Sequence, residues 1–236
     1  AHLIFADENL APVTGEGDLA KSYEMSDDGM TLTFELRDNI FWHDGEAITA
    51  DDIQWSIAYA LKITVLNSVF RSTFEALKGA AAYEDGSAEH IEGIAVDGSK
   101  ITLTFEKVAP DALLTFTQFA PLPKKYLADT DPISLQQAKY FQSPIGSGPF
   151  MVDEVQMHNY TTLKPFDKYY GGTANFTIHL NPSAGDSDAN FVTNAKAGKL
   201  DYAYTKNIDD VKALEGTPGL PIDTVNVRYT RLLYLN

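Results

Sequence analysis

The stretch that decides the fold is residues 19–52, LAKSYEMSDDGMTLTFELRDNIFWHDGEAITADD. Its centre, Met30–Arg37, alternates apolar and polar side chains, with Leu32, Phe34 and Leu36 on one face. A period of two residues is typical of a strand with one face buried and the other exposed. The pattern therefore predicts a half-buried strand over Met30–Arg37.

Turns and a helix start surround this strand. Residues 27–29 (Asp-Asp-Gly) precede it and residues 43–45 (His-Asp-Gly) follow it. Both triplets favour tight turns, because glycine accepts a positive φ and aspartate can bond its own downstream backbone. Thr49 and Asp52 have the spacing of a capping box before the apolar periodicity that begins at Ile53. We expect strand, turn and capped helix in direct succession.

This segment resembles the family 5 extracellular solute-binding proteins, which include the oligopeptide-, dipeptide- and nickel-binding receptors of ABC importers. The matching positions, at fixed spacing, are Leu19-Ala20, Ser22-Tyr23, Ser26, Asp28-Gly29, Thr31, Thr33-Phe34, Leu36-Arg37, Ile40, Trp42-His43-Asp44-Gly45, Ile48-Thr49-Ala50 and Asp52-Ile53. So many matches identify a scaffold rather than a catalytic site.

The resemblance continues from about Leu10 to Asn236. Residues 143–150, SPIGSGPF, are similar to the family's connection from its small second domain back into its first domain. Further matches are Phe166–Gly172, Ala197–Asp201 and the closing Tyr234-Leu235-Asn236. The resemblance implies an α/β fold with mixed sheets, of the periplasmic-binding-protein type, class II. Residues 1–145 would form the small second domain and residues 146–236 the returning part of the first, with the third domain absent.

The rest of the chain alternates predicted helices and strands. Asp97–Lys100 is expected to turn a hairpin between Ile91–Val96 and Ile101–Glu106, and Gly198 to end a helix. The other predicted elements are helices over 70–83, Asp111–Phe119, Asp186–Lys196 and Ile208–Leu214, and strands at Phe150–Val155, Tyr160–Leu163, Asn175–Leu180, Tyr202–Tyr204 and Val225–Leu235.

Composition narrows the function classes. The net charge of −15 argues against a nucleic-acid partner, whose phosphates need lysine and arginine. The chain has no cysteine, which excludes disulfides, thiolate metal sites and thiol nucleophiles. It also has no apolar run near the roughly 20 residues of a membrane span. Acidic faces in bulk solvent explain the charge.

Residues 42–45 (Trp-His-Asp-Gly) could form a metal or acid–base site, or a structural turn. The turn is the favoured interpretation, because the remaining histidines are scattered without the spacing of a metal site. Residues 146–148 (Gly-Ser-Gly) lack the spacing of a nucleophile elbow or a phosphate loop, so they favour a sharp crossing of the chain. We expect no enzyme activity, no metal and no cofactor.

The resemblance implies a ligand cleft with aromatic walls, because family members place an aromatic residue just after the capped helix. Phe70 occupies that place, and Arg71 beside it could pair with a ligand carboxylate or simply lie in solvent. Gln118 and Phe119, before Pro121, are further candidates by topology. For each aromatic residue, packing in the core is an equal alternative.

The resemblance implies the substrate-binding component of an ABC importer outside the cytoplasm, with a membrane permease as partner. The expected ligand is a peptide. The alternatives are nickel, an oligosaccharide or another small solute, or a sensory or adhesion module without transport. The protein is expected to be a monomer. In its full-length form it could be held at the outer face of the membrane by a lipid anchor or lie free in the periplasm. Residues 1–236 alone are expected to bind ligand weakly or not at all, since half of the cleft walls would be missing.

Overall fold

The computed structural model describes residues 1–15, 18–63, 66, 68–157, 159–181 and 190–224. The chain divides into two compact units, Ala1–Val155 with Thr161–His179, and Gln156–Tyr160 with Leu180–Asn236. The predicted strand Val225–Leu235, the match at Tyr234-Leu235-Asn236 and the start of the helix predicted at Asp186–Lys196 lie outside the described residues. The domain boundary expected after residue 145 stays a prediction.

Helices and strands alternate along the chain. The strands are β1 (Phe5–Ala6), β2 (Pro12–Val13), β3 (Ala20–Met25), β4 (Thr31–Leu36), β5 (Ile94–Asp97), β6 (Lys100–Thr104), β7 (Phe150–Gln156), β8 (Tyr160–Pro165) and β9 (Ile178–Leu180). The helices are α1 (Ala50–Leu61), α2 (Ser68–Glu75), α3 (Ala80–Glu84), α4 (Ala112–Phe116), α5 (Lys124–Leu127), α6 (Phe191–Lys196) and α7 (Ile208–Leu214). Short 3₁₀ helices at Pro132–Gln137 and Lys139–Gln142, which the sequence pattern did not indicate, follow α5.

The first unit is built on an antiparallel sheet with the strand order β3–β4–β6–β5. The apolar face predicted for β4 is confirmed, because Leu32 and Phe34 are fully buried and Leu36 is 2% exposed. Phe34 pairs with Ile101 on β6, which is also fully buried. The predicted hairpin is confirmed as β5 and β6, with Gly98 at a positive φ in its turn. This sheet and α1 together enclose the main core.

The capping box predicted at the start of α1 is confirmed. The Thr49 hydroxyl accepts a hydrogen bond from the Asp52 amide at 3.3 Å, and the Asp52 carboxylate accepts one from the Thr49 amide at 2.8 Å. The Thr49 amide is satisfied in this way, and the Asp52 amide, which also donates to the Thr49 carbonyl at 3.1 Å, gains a second acceptor. Ile53, Ile57 and Leu61 of α1 then face the core.

Replacing Thr49 with alanine is expected to lower the free energy of unfolding by about 1 kcal/mol, because the Asp52 amide loses the hydroxyl as an acceptor and keeps the Thr49 carbonyl, at 3.1 Å. The control is Thr49→Ser, which keeps the hydroxyl and should remain within about 0.5 kcal/mol of the wild type. Urea unfolding of the three proteins measures the difference. Equal stability of the alanine and serine variants would contradict a capping role for this hydroxyl.

The helix predicted over residues 70–83 is interrupted, so this prediction is wrong in its middle. Between α2 and α3, the Lys78 amide donates to the Thr104 carbonyl at 2.9 Å, and Leu77 bridges to Phe105. Gly79 then takes a positive φ of 74°. The backbone of these residues pairs with Thr104, the last residue of β6, and with Phe105 after it, instead of bonding within one helix. Tertiary pairing overrides the alanine-rich helical pattern here.

A three-stranded sheet has the order β7–β8–β9, so its strands lie side by side in the order of the chain. In the second unit, Phe191 and Ala195 of α6 pack against Leu214 of α7 in a small core. Gly198 ends α6 as predicted, with a positive φ of 65°. Its successor Lys199 donates its amide to the Asn194 carbonyl at 3.0 Å, which closes the helix end.

The strand predicted at Tyr202–Tyr204 is wrong. In the described part of the chain these residues have no strand conformation, and Tyr202 and Tyr204 are 87% and 68% exposed. Alternation over three residues favours a strand only where a neighbouring strand supplies hydrogen bonds. Among the described strands, none pairs with this segment.

Within the residues that the structure describes, no helix combines the length and apolar character that crossing a lipid bilayer requires.

Candidate ligand-binding site

Two of the predicted binding residues come together in the first unit. Phe70 on α2 and Phe119, just beyond α4, pack edge to face with their ring centroids 5.6 Å apart. Phe119 is 4% exposed and also packs against Phe74 and Phe116, at 5.0 Å and 6.4 Å. Phe119 therefore belongs to the core cluster, whereas Phe70 lies half-buried at its rim. Phe70 is the ring of this pair that has a surface left for a ligand.

The side chain of Arg71 already has several partners. Its guanidinium donates to Glu75 at 3.1 Å, to Glu84 at 3.4 Å and to the Ile63 carbonyl at 2.9 Å. The side chain thereby ties α2 to α3 and to the end of the α1 segment. A ligand carboxylate would have to compete with two carboxylates of the chain for this cation. The role of Arg71 in ligand binding stays a prediction.

Gln118 lies on the surface immediately before the buried Phe119. Its backbone belongs to the last turn of the α4 segment, because its amide donates to the Thr115 carbonyl at 3.1 Å. An exposed amide next to the half-buried Phe70–Phe119 pair can donate and accept hydrogen bonds to a peptide backbone. Its position fits the prediction, which stays untested.

His43 connects the turn at residues 42–45 to the connection at residues 143–150. Its Nδ1 accepts a hydrogen bond from the Gly146 amide at 3.1 Å, and its Nε2 lies 3.1 Å from the Gly148 carbonyl oxygen. The backbone repeats the link, since the His43 amide donates to the Gly146 carbonyl at 2.8 Å. The ring also packs edge to face on Phe166 at 5.0 Å. This is the structural turn that the sequence favoured.

These bonds determine the protonation state of His43. Since Nδ1 accepts from an amide, the proton of the neutral ring must sit on Nε2, from which it is donated to Gly148. Burial lowers the pKa of His43 below its ordinary value, although the Gly148 carbonyl and the Asp44 carboxylate favour the charged ring. A proton added to Nδ1 would also face the Gly146 N–H. Neither nitrogen is free to act as a base or a metal ligand.

Asp44 connects the same turn to α5. One carboxylate oxygen accepts from the Lys125 ammonium at 3.0 Å and from the Tyr126 hydroxyl at 2.9 Å, and the other accepts from the Glu46 amide at 3.0 Å. Burial raises the pKa of this carboxyl, but the hydrogen bonds outweigh burial, so the pKa lies below its usual range. Gly45 completes the turn with a positive φ of 89°.

A mostly apolar cavity of about 400 Å³ lies beside this turn, and the sequence reasoning missed it. Its wall includes Pro121, Phe141, Ile145 and Leu163 together with His43. Tyr140 borders it and donates its hydroxyl to the Ile145 carbonyl, while burial raises the pKa of that hydroxyl to about 12. In the sequence, only the proline, glycine and aromatic residues of 140–150 could have indicated this cavity. That they lie next to Pro121 and Leu163 is decided by the tertiary structure.

His43 and Ser147 both have hydrogen-bond partners in the structure. Over the described ranges of the chain, no cluster of three or more His, Asp or Glu side chains is arranged to hold a metal ion. Ser147 lies between Gly146 and Gly148, whose backbone groups hydrogen-bond with the two ring nitrogens of His43. His43 therefore has no free ring nitrogen that could act as a base for Ser147, as a serine nucleophile requires.

Comparisons with solved structures give the class of protein. NikZ from Campylobacter jejuni, determined in complex with Ni(L-His), is similar with a TM-score of 0.72 and 26% identity, over 92% of this chain and 39% of that protein. The murein tripeptide binding protein MppA of Escherichia coli shares the fold, with a TM-score of 0.71 and 23% identity over 92% of this chain and 42% of its own. The expected periplasmic-binding-protein fold is confirmed, over about 40% of the length of each of these two proteins.

The chain belongs to the bacterial extracellular solute-binding proteins, family 5, whose sequence profile matches residues 14–236. A dipeptide-binding protein of Lactococcus lactis subsp. cremoris is 28% identical, over 92% of this chain and 41% of its own length. A Brucella ovis protein, named as an ABC transporter peptide-binding protein, is 29% identical over 88% of this chain and 36% of its own length. The chain thus spans less than half of the curated relatives it matches.

Proposed function

We propose that this chain is part of the extracytoplasmic substrate-binding component of an ABC importer that captures peptides. The family match over residues 14–236 carries the proposal. The relatives named for peptides and dipeptides support the ligand class. The mechanism is closure of two lobes about the ligand, followed by delivery of the closed form to a membrane permease. The receptor acts as a monomer, outside the cytoplasm, with lipid anchoring as one means of retention there.

In this proposal residues 1–145 are the small second domain and residues 146–236 the returning part of the first domain. Phe70 supplies an aromatic wall, and Phe119 supports it from the core. Gln118 provides an exposed amide nearby. Aromatic surface with a few adaptable polar groups suits peptides of varied side chains, because it recognises shape and backbone rather than one sequence. Arg71 is the candidate partner for a ligand carboxylate.

A nickel complex is the second candidate ligand, since NikZ is similar at 26% identity and was determined with Ni(L-His). The two ligand classes are separated by thermal unfolding of the full-length protein in the presence of each. The probes are a mixture of di- to pentapeptides, Ni²⁺ with L-histidine, and Ni²⁺ alone. A rise in Tm with peptides only supports the proposal. A rise with Ni²⁺ and L-histidine only would replace peptide by a nickel complex.

Binding of a purified peptide, chosen from that screen, is expected to weaken roughly tenfold in a Phe70→Ala variant of the full-length protein. An aromatic contact contributes about 1.4 kcal/mol near the upper end of its usual range, which corresponds to tenfold in Kd. Isothermal titration calorimetry measures the loss. Phe176→Ala is the matched control, because Phe176 is 57% exposed and lies outside the Phe70–Phe119 pair.

A Phe70→Leu variant separates binding from core packing, since leucine keeps apolar volume but removes the ring. We expect it to unfold close to the wild-type Tm while binding the peptide several-fold more weakly. Wild-type affinity in both Phe70 variants would remove Phe70 from the site and leave the family assignment untouched.

A further inference from the structure

Both ring nitrogens of His43 contact the backbone of residues 146–148, in addition to the bond from the His43 amide to the Gly146 carbonyl. The Gly146 amide donates to Nδ1 at 3.1 Å, and Nε2 reaches the Gly148 carbonyl at 3.1 Å. The connection itself, residues 143–150, contains no titratable side chain. Its attachment to this turn can therefore change with pH only through the groups packed against it.

Glycine brings the ring and the connection into close contact. A Cβ placed on Gly146 would lie 3.2 Å from Cε1 of His43, which is tighter than ordinary van der Waals contact. Phe166 packs on the ring at 5.0 Å. The ring has little space to turn, so a protonated imidazole could not exchange its acceptor bond for a donor bond without moving the connection.

We infer that His43 is a pH-sensitive clip, which holds the connection 143–150 at neutral pH and releases it in acid. The acceptor at Nδ1 is lost when the ring is protonated, and two N–H groups then oppose each other at Gly146. Each such bond lost in a partly buried site removes a favourable interaction and adds a repulsive one. The connection borders the 400 Å³ cavity through Pro144–Ser147, so its release also changes that cavity wall.

Other charged groups around the His43 ring affect how readily it takes up a proton, but they do not substitute for its hydrogen bonds to residues 146–148. The Asp44 carboxylate favours protonation, whereas the Ala1 amino group, which donates to Ser147 Oγ at 3.2 Å, disfavours it. Further titratable groups near the ring are Glu46 of the same turn, Lys125 and Tyr126 of α5, and Tyr140. Lys168 is also close to this turn, since its Nζ would lie 3.1 Å from a Cβ placed on Gly45. Hydrogen bonds to Glu46 and Asp44 raise the pKa of Lys125, a hydrogen bond to Asp44 raises that of Tyr126, and burial raises that of Tyr140, so these three groups keep their charge state while His43 titrates.

The sign of the effect on stability follows from the direction of the shift. Burial lowers the pKa of folded His43 below its ordinary value of 6.5, so the unfolded chain takes up the proton first. The contribution of the clip is complete above pH 6.5 and is lost as the pH falls through the folded pKa. Burial also lowers the pKa of His2, which adds an effect of the same sign. Comparing the wild type with a His43 variant removes that common part.

The test is an NMR titration of the full chain, with ¹³C and ¹⁵N shifts of the His43 ring and of the Gly146 and Gly148 amides. We expect the neutral ring to show the proton on Nε2. Both amides should shift with the midpoint of the His43 ring, and amide exchange over residues 143–150, corrected for its intrinsic pH dependence, should rise several-fold below that midpoint. Amides that stay still while the ring titrates would overturn the clip.

The variant His43→Asn removes the titration and keeps a side-chain oxygen near the position of Nδ1. We expect its exchange over residues 143–150 to be independent of pH, and its free energy of unfolding to fall less than that of the wild type in acid. His90→Asn, at an exposed histidine, is the matched control and should behave as the wild type. An acid-induced rise in exchange that persists in His43→Asn would also refute the inference. If this variant does not fold, the wild-type titration decides alone.

Discussion

Replacing Phe34 with alanine is expected to lower the free energy of unfolding by about 3–5 kcal/mol. Phe34 is fully buried in the middle of β4 and packs edge to face on Phe116 at 4.9 Å. It also contacts Tyr23 on β3, with ring centroids 6.4 Å apart. Truncation leaves a cavity between sheet and helix that neighbouring elements cannot close without breaking strand pairing.

Chemical denaturation with urea measures this loss, provided that the slope of the transition stays the same. The control is Phe176→Ala, at a side chain that is 57% exposed, with an expected loss below about 1 kcal/mol. A similar loss in both variants would show that the sheet does not organise the core around Phe34.

Replacing Arg37 with methionine is expected to cost about 3–5 kcal/mol, because it leaves a buried carboxylate without its cation. Asp18 has a side-chain exposure of 0% and lies 3.0 Å from the Arg37 guanidinium. Arg37 also donates to the Asp18 and Gly15 carbonyls, and its guanidinium lies 5.4 Å from the centroid of the Tyr170 ring. One cation thus joins the end of β4 to the segment that leads into β3.

The reverse change, Asp18→Asn, should cost less, about 1–2 kcal/mol. The asparagine keeps the shape of the side chain, and Arg37, with 26% of its side chain exposed, keeps water and the Asp18 carbonyl as partners. Urea unfolding of both single variants and of the double variant measures the coupling. Equal costs for the two single changes would contradict the asymmetry of burial on which this prediction depends.

Four of the positions that match the family, Arg37, His43, Asp44 and Thr49, make contacts that hold the fold together. Arg37 joins the end of β4 to the segment before β3, Thr49 caps α1, and His43 and Asp44 connect one turn to three distant segments. This explains why a long match in sequence identified the scaffold and left the ligand open. The candidate ligand contacts Phe70 and Gln118 lie outside that stretch.

The pattern of residues along the chain was sufficient for local structure. The buried face of β4, the capping box of α1, the hairpin of β5 and β6 and the glycine that ends α6 were all predicted. Each depends on a few neighbouring residues, whose side-chain period or backbone preference acts within one turn or one hairpin. The family was recognisable for the same reason, because its motif is a succession of such local signals.

Only the tertiary structure decided where segments distant in the chain meet. It placed Phe119 in the core and left Phe70 at the rim, and it committed Arg71 to Glu75 and Glu84. It broke the helix at Lys78 through a bond to Thr104, and it brought His43 onto Gly146. These contacts depend on packing and hydrogen bonds between residues up to about a hundred positions apart, for which the sequence carries no period or spacing.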